Sequence, residues 1–252
     1  EILVNNGVKE ITLLGQNVNS YLDNDEKLKF PDLLKKLEEI GVPRIRFMTS
    51  HPKDLSDALI EVMANSRNIE RHIHLPVQAG NSEVLKAMNR GYTKEQYLSL
   101  VEKLRKNIPD IGITTDIIVA FPNETEIQFQ DTLDLVKKVQ YDSAFTFIYS
   151  KRNGTKAAKM SGFIPKEIAS DRLERLNKEI NKISKNILNS QIGKKECLLI
   201  DGFFSDKNGE YLIGRTSRNL KVKVEENPEK IGEFVNVVIE GIEKNTLKAT
   251  VI

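Results

Sequence analysis

Cysteine is almost absent from these 252 residues: Cys197 stands alone. One thiol excludes an internal disulfide, fits a reducing, cytoplasmic setting, and cannot by itself hold a thiolate-bound cluster. Tryptophan is missing, and the only histidines are His51, His72 and His74. No apolar run approaches the roughly 20 residues of a membrane span, and no leader-like pattern occurs. The first residue is Glu1 rather than Met, as expected of a segment of a longer gene product. Strong charge of either sign is lacking too, with a net +2 from 38 basic and 36 acidic residues. That balance hides an asymmetry, because residues 151–185 carry ten Lys and Arg against four Asp and Glu. Such a stretch suits either a nucleic-acid face or a solvated, salt-bridged helix. What is present, 39% hydrophobic and 29% charged residues, is enough for a globular protein with a full-sized core.

Strand-like and helix-like patterns alternate. KEITLLG, RIRFMTS, HIHLPV, TTDIIVAF and SAFTFIYS read as strands. Between them FPDLLKKLEEIG, DLSDALIEVMANS, NSEVLKAMNRG with TKEQYLSLVEKLRKNI, and TEIQFQDTLDLVKKV read as helices, the first with Leu33, Leu34, Leu37 and Ile40 on one face. Strands spaced by such helices pair in parallel through right-handed crossovers, so the fold class is α/β, an incomplete parallel barrel. A long charged helix is expected from Pro165 to about Ile192. From there KECLLIDGF, EYLIGRT, LKVKV, GEFVNVVIEGI and TLKATVI suggest a small OB-like β-barrel. The expected division is 1–190 and 191–252.

Each parallel strand runs into polar residues: Gly15-Gln16-Asn17, Thr49-Ser50-His51, Gln78-Ala79-Gly80, Pro122-Asn123-Glu124 and Lys151-Arg152-Asn153. Parallel α/β folds hold ligands at the carboxyl ends of their strands, which is where Gln16 and Asn17 fall. His72 and His74 share a strand face. Without further histidines or thiolates, a metal site with His51 is disfavoured. Cys197 reads as a small buried apolar residue. Arg215, Arg218, Lys221 and Lys223 gather in GRTSRNLKVKV, and alternation puts both lysines on one face. They suit phosphates, or simply guard an edge strand.

ITLLGQNVNSY, HIHLPVQAGN, MNRGYTKEQYL, TTDIIVAFPNETEIQF and YSKRNGTKAAKM together resemble the radical-SAM methylthiotransferases, over essentially the whole chain. GQNVNSY places it nearest the branch acting on N6-dimethylallyladenosine in tRNA, and LIGRTSRNLKVKV is similar to a TRAM RNA-binding domain. The resemblance implies S-adenosyl-L-methionine and [4Fe-4S] clusters as cofactors. It implies a tRNA anticodon stem-loop as partner of a cytoplasmic monomer, with a methylthio group inserted at C2 of the adenine. Gln16 and Asn17 would bond the methionine amine or neighbouring backbone, Gln78 and Asp116 would lie by the ribose hydroxyls, and Arg90 by the methionine carboxylate. Strand-end capping by the first two and helix capping by Arg90 compete with those roles. Arg215, Arg218, Lys221 and Lys223 would bind RNA. No catalytic side chain or metal ligand falls within the chain, because the family's first barrel strand and CxxxCxxC, and a domain with a second cluster, lie upstream of the matched segment.

The chain departs from the family pattern at Ala79-Gly80-Asn81 (usually Ser-Gly-Ser), at Ala120-Phe121-Pro122-Asn123 (usually Gly-Phe-Pro-Gly) and at Lys151 (usually Pro). Other readings remain open: a methylthiotransferase acting on threonylcarbamoyl-adenosine or a ribosomal protein, a cluster-free RNA-binding protein, or a barrel enzyme using His51 and Asp116 as acid and base.

Overall fold

The computed structural model describes residues 1–25, 27–206, 209–225 and 230–252, without the side chain of Asp206. Its first part is built on five parallel strands. β1 (Glu10–Leu13) pairs with β2 (Arg44–Phe47), while β3 (His72–His74), β4 (Gly112–Val119) and β5 (Ser143–Ile148) pair in sequence order. The expected continuous sheet is thus divided in two. The halves still touch, because Ile45 bridges Ile69 and the Ser50 amide donates to His74 O at 3.1 Å. β3 is short because Pro76 has no N–H to give the ladder. The Thr115 hydroxyl takes over there, donating to Leu75 O at 3.0 Å and accepting from Val77 N at 2.9 Å. β1 has one strand neighbour and forms the expected open edge. Before it lies a single helical turn, α1 (Ile2–Asn5), which the sequence pattern did not show.

Helices α2 (Phe30–Glu39), α3 (Asp57–Asn65), α4 (Ser82–Ala87), α5 (Lys94–Asn107) and α6 (Glu126–Val139) cover the outer face of the strands. Ile45, Phe47, Ile73, Ile113, Ile117 and Val119 are buried against Leu34, Leu59, Leu85, Leu104 and Val136. Helix starts follow local chemistry. Thr93 with Gln96, and Thr125 with Gln128, close reciprocal capping boxes on α5 and α6. Ser56 accepts from Leu59 N, so α3 begins at Asp57 rather than at the earlier acidic residue, Asp54. Ile40, expected on the buried face of α2, is the C-cap and is exposed.

α7 (Lys166–Asn189) packs along β5 and α6. Two of its basic residues are spent on that packing. Arg172 donates to buried Glu124 at 2.8 Å, and Arg175 pairs with Glu126 at 2.5 Å and with Asp171 at 3.0 Å. Beyond α7, β6 (Lys195–Asp206), β7 (Gly209–Arg215), β8 (Lys221–Val224), β9 (Phe234–Glu243) and β10 (Thr246–Val251) close a barrel in the order β10-β8-β7-β6-β9. It has its own core, including Leu198, Ile200, Leu212, Val222, Val237 and Leu247. Cys197 is exposed, contrary to expectation, because β6 turns Leu198 inward and leaves its neighbour outside.

The small barrel seats against the amino ends of β2, β3 and β4. Arg44 reaches Cys197 O at 2.9 Å and Arg215 O at 3.3 Å, and Arg46 reaches Thr216 O at 3.0 Å. Glu70 neutralises both arginines, at 3.0 and 3.1 Å. Arg71 N donates to Ser217 Oγ at 3.0 Å. At Gly112 a Cβ would stand 2.8 Å from Arg218 O, so only glycine allows this approach. Hence the strands' amino ends are covered, and their carboxyl ends are free for a ligand.

Candidate cofactor cleft and RNA-facing surface

Alternation along the strands sends one residue in two into the lumen. On β3 and β4 those residues are His72 and His74, then Thr114 and Asp116. The Thr114 hydroxyl sits 3.0 Å from both His72 Nε2 and His74 Nδ1, and His74 Nε2 lies 3.4 Å from Asp116 Oδ1. Burial drives the His72 pKa down to about 3, so this imidazole is neutral. A hydroxyl that donates to one ring nitrogen and accepts from the other satisfies the set without a metal. Among the described residues no three His, Cys, Asp or Glu gather as a metal site. Sequence reasoning missed Thr114 as the link, because it turns on the cross-strand register His74 to Thr114.

Above this layer, at the carboxyl ends, a cleft of about 650 Å³ opens between Gln78, Met88, Arg90, Asp116, Phe121, Phe147, Tyr149 and the 152–157 loop. Gln78, Arg90 and Asp116, expected from sequence to act together, therefore share one cavity. Gln78 is held there at φ 71°, a left-handed conformation unfavourable for a long side chain. Its backbone is clamped by Gln78 N donating to Asp116 O and Ile118 N to Gln78 O, both at 2.8 Å. Strain of this kind, tolerated beside a cleft, is common at binding sites. Arg90 Nε and Tyr149 Oη, both at this cleft, are buried and make no hydrogen bond among the described residues. Buried donors left this way cost about 1–3 kcal/mol each, so the cleft is short of acceptors. Tyr149 was not anticipated; the signal was an aromatic hydroxyl directly after a lumen-lining strand.

Gln16 and Asn17 do not line this cleft. Gln16 is exposed, and Asn17 donates to Asp54 Oδ2 at 2.6 Å and accepts from His51 N at 3.2 Å. Asn19 is buried and grips His51 from both sides, accepting from its N at 2.9 Å and donating to its O at 3.1 Å. The amides after β1 thus tie its loop to the loop after β2. His51 Nδ1 accepts from Lys53 N at 3.2 Å, and burial lowers the pKa of this ring. It is absent from the cleft lining that contains Asp116, so the pair does not form a joint acid and base.

A Radical SAM superfamily model matches residues 1–136, and a TRAM domain model matches residues 190–252. The chain belongs to the Radical SAM superfamily. Relatives include the tRNA-2-methylthio-N(6)-dimethylallyladenosine synthase of Caldicellulosiruptor saccharolyticus, 54% identical over 94% of this chain and 50% of that protein. The protein of the same name from Staphylococcus haemolyticus is 47% identical over 98% of the chain and 48% of its own length. The chain spans about half the length of the curated relatives it matches. Among solved structures, Methanocaldococcus infernus Elp3 with an N-terminal deletion aligns over 98% of this chain and 75% of that one, with TM-score 0.50 and 12% identity. That likeness concerns the fold.

Within this radical-SAM frame the departures become intelligible. Asn81, where the family has serine, caps α4 by accepting from Glu83 N and Val84 N at 3.0 and 3.2 Å. Ala120 and Asn123 stand at φ 59° and 65°, where glycine would be relaxed. Glu124 braces that turn by accepting from Ala120 N at 2.8 Å. Lys151 lies over the Phe163 ring at 5.5 Å.

The four basic residues of the small barrel divide into two kinds. Arg215 and Lys221, cross-strand neighbours on β7 and β8, are exposed. Arg218 instead donates through Nε and Nη2 to Asp142 Oδ1 at 3.1 and 2.8 Å. Lys223 is buried, paired with Glu243 and 4.4 Å from the Tyr211 ring centre. The expected common face of Lys221 and Lys223 is therefore open at only one of them.

Proposed function

We propose that this chain supplies the cofactor-holding barrel and the RNA-binding module of a tRNA methylthiotransferase, with residues 1–190 and 191–252 as the two units. The observation that carries the reading is the convergence of Gln78, Arg90 and Asp116 on one cleft that holds unsatisfied Arg90 Nε and Tyr149 Oη. S-adenosyl-L-methionine matches that donor set, having a carboxylate for Arg90 and a ribose diol for Asp116 and Gln78. When bound, it supplies radical chemistry, and the protein contributes position and shielding from water. Asp116 fixes the ribose, Arg90 neutralises the carboxylate, and the buried Phe121 ring excludes solvent. Asn17 and Asn19 act by shaping the adjoining loops, while Gln16 stands exposed outside the cleft.

The residues present do not fit a [4Fe-4S] cluster. Cys197 is exposed on the small barrel, and no metal-competent trio exists among the described residues. Such a cluster would take its thiolates from outside these 252 residues, as the twofold greater length of the relatives allows. Arg215 and Lys221 suit phosphates of a tRNA anticodon stem-loop, with Arg152 and Lys156 at the cleft rim continuing the track. No helix among the described residues is long and apolar enough to cross a membrane.

The test is a chimera carrying the first half of the Caldicellulosiruptor relative ahead of this chain, reconstituted anaerobically with iron and sulfide. Cofactor cleavage and a methylthio group on prenylated tRNA, both lost in Asp116→Ala, are expected. An iron-loaded chimera that cleaves no cofactor would overturn the proposal.

A further inference from the structure

On β5, Ala144, Thr146 and Ile148 turn toward α7, where Thr146 Oγ1 donates to Asn177 at 2.6 Å. Phe145 and Phe147 therefore turn into the lumen, and they are left 59% and 52% exposed. Two large rings so exposed inside a barrel are unusual, since lumens of this size are normally filled. Phe147 lines the cofactor cleft. Phe145 lines a second cavity of about 600 Å³ below it, which reaches Arg215 and Lys221 of the small barrel. The rings stand two residues apart on one face of β5, one in each cavity, and form an apolar stretch between the small barrel's basic residues and the cofactor cleft.

We propose that Phe145 and Phe147 are specificity-determining residues, the wall against which a neutral N6-alkyl substituent of the target adenine packs. This rests on the tRNA reading above. Register places the wall where chemistry would occur, because Phe145 lies directly beside Asp116 and Phe147 beside Ile118. A base held there is one strand step from the carboxylate assigned to the cofactor ribose. Charge selects among substituents. Beside Phe145 stand Asp116, in register, and His74, whose ring lies 6.1 Å away in edge contact. The cavity it lines also holds two ion-paired arginines, Arg46 with Glu10 and Arg218 with Asp142, and the exposed Arg215 and Lys221, which RNA phosphates would occupy. Arg90, Arg152 and Lys156 line the upper cleft with Phe147, where a cofactor carboxylate and RNA phosphates compete for them. An acidic substituent such as threonylcarbamoyl would lose hydration against two rings and face Asp116. A branched alkyl group loses nothing and covers exposed aromatic surface.

The test uses this chain and three stem-loop RNAs, identical but for one base: adenosine, N6-dimethylallyladenosine or N6-threonylcarbamoyladenosine, with binding followed by fluorescence anisotropy. The prenylated RNA should bind roughly tenfold more tightly than the unmodified one, the expectation for a partly buried five-carbon group. Phe145→Ala and Phe147→Ala should each shrink that ratio while leaving affinity for unmodified RNA unchanged, and Phe147→Leu should retain most of it. Both side chains are half exposed, so the alanine variants should fold, which circular dichroism checks. Equal affinity for prenylated and unmodified RNA would overturn this inference and leave the RNA reading standing, as would tighter binding of the threonylcarbamoyl RNA. Failure to bind all three RNAs would overturn both.

Discussion

Replacing Arg218 by alanine should loosen the junction between the two barrels rather than simply weaken RNA binding. Arg218 makes two hydrogen bonds to a carboxylate that is only 3% exposed, Asp142, whose other oxygen accepts from Ile113 N at 2.9 Å. Removing one partner of a buried ion pair typically costs about 3–5 kcal/mol, because the remaining charge is stranded. Both residues line the 600 Å³ cavity, so water can reach the orphaned carboxylate, and the lower end, about 3 kcal/mol, is expected. With a urea slope near ~3 kcal/mol/M the unfolding midpoint should fall by about 1 M. Burial raises the Asp142 pKa, and the Arg218 guanidinium pulls it back down. In the variant it therefore rises further. Between the ordinary and the raised pKa the folded state binds more protons than the unfolded one, so stability increases as pH falls. The deficit against wild type should accordingly be largest near neutrality and shrink as pH drops through the variant's folded pKa. Adding Asp142→Asn removes the stranded charge and should recover about half of the loss. A loss below about 1 kcal/mol, or one unchanged at acid pH, would refute the account of this junction.

Lys221→Glu and Arg215→Glu, which break no buried pair, should lower affinity for stem-loop RNA at low salt without shifting the urea midpoint. Unchanged affinity would remove the small barrel from the proposed track. Gly80→Ala would set a Cβ 2.3 Å from Thr132 Cα, a backbone collision, and should destabilise by at least about 3 kcal/mol in urea unfolding. Ala120→Gly should raise stability by about 0.5–1 kcal/mol, since it relieves a left-handed alanine. His72 should show no titration step between roughly pH 5 and 8 in NMR spectra, given a pKa pushed to about 3.

Strand and helix order was legible because apolar period and cap residues agree at Thr93, Thr125 and the Val-Ile runs of β4. The grouping of Gln78, Arg90 and Asp116 was legible as well, since strand ends in a parallel fold converge on one rim. The fates of Arg218 and Lys223 were not legible. Both depend on acids distant in sequence, Asp142 and Glu243, brought close only by docking and barrel closure. The side-chain partner of Asn17 was not legible for a related reason: Asp54 sits in another strand's loop. The exposure of Cys197 turned on which way one strand faces, and an apolar run such as ECLLI does not encode that direction.

The most direct measurement of the central claim is an NMR titration of this chain with S-adenosyl-L-methionine to millimolar concentration. The cleft account predicts weak, saturable shifts centred on Gln78, Arg90, Asp116 and Tyr149, and their loss in Asp116→Ala. Shifts confined to the cavity at Arg215 and Arg218, or none at saturating cofactor, would contradict it.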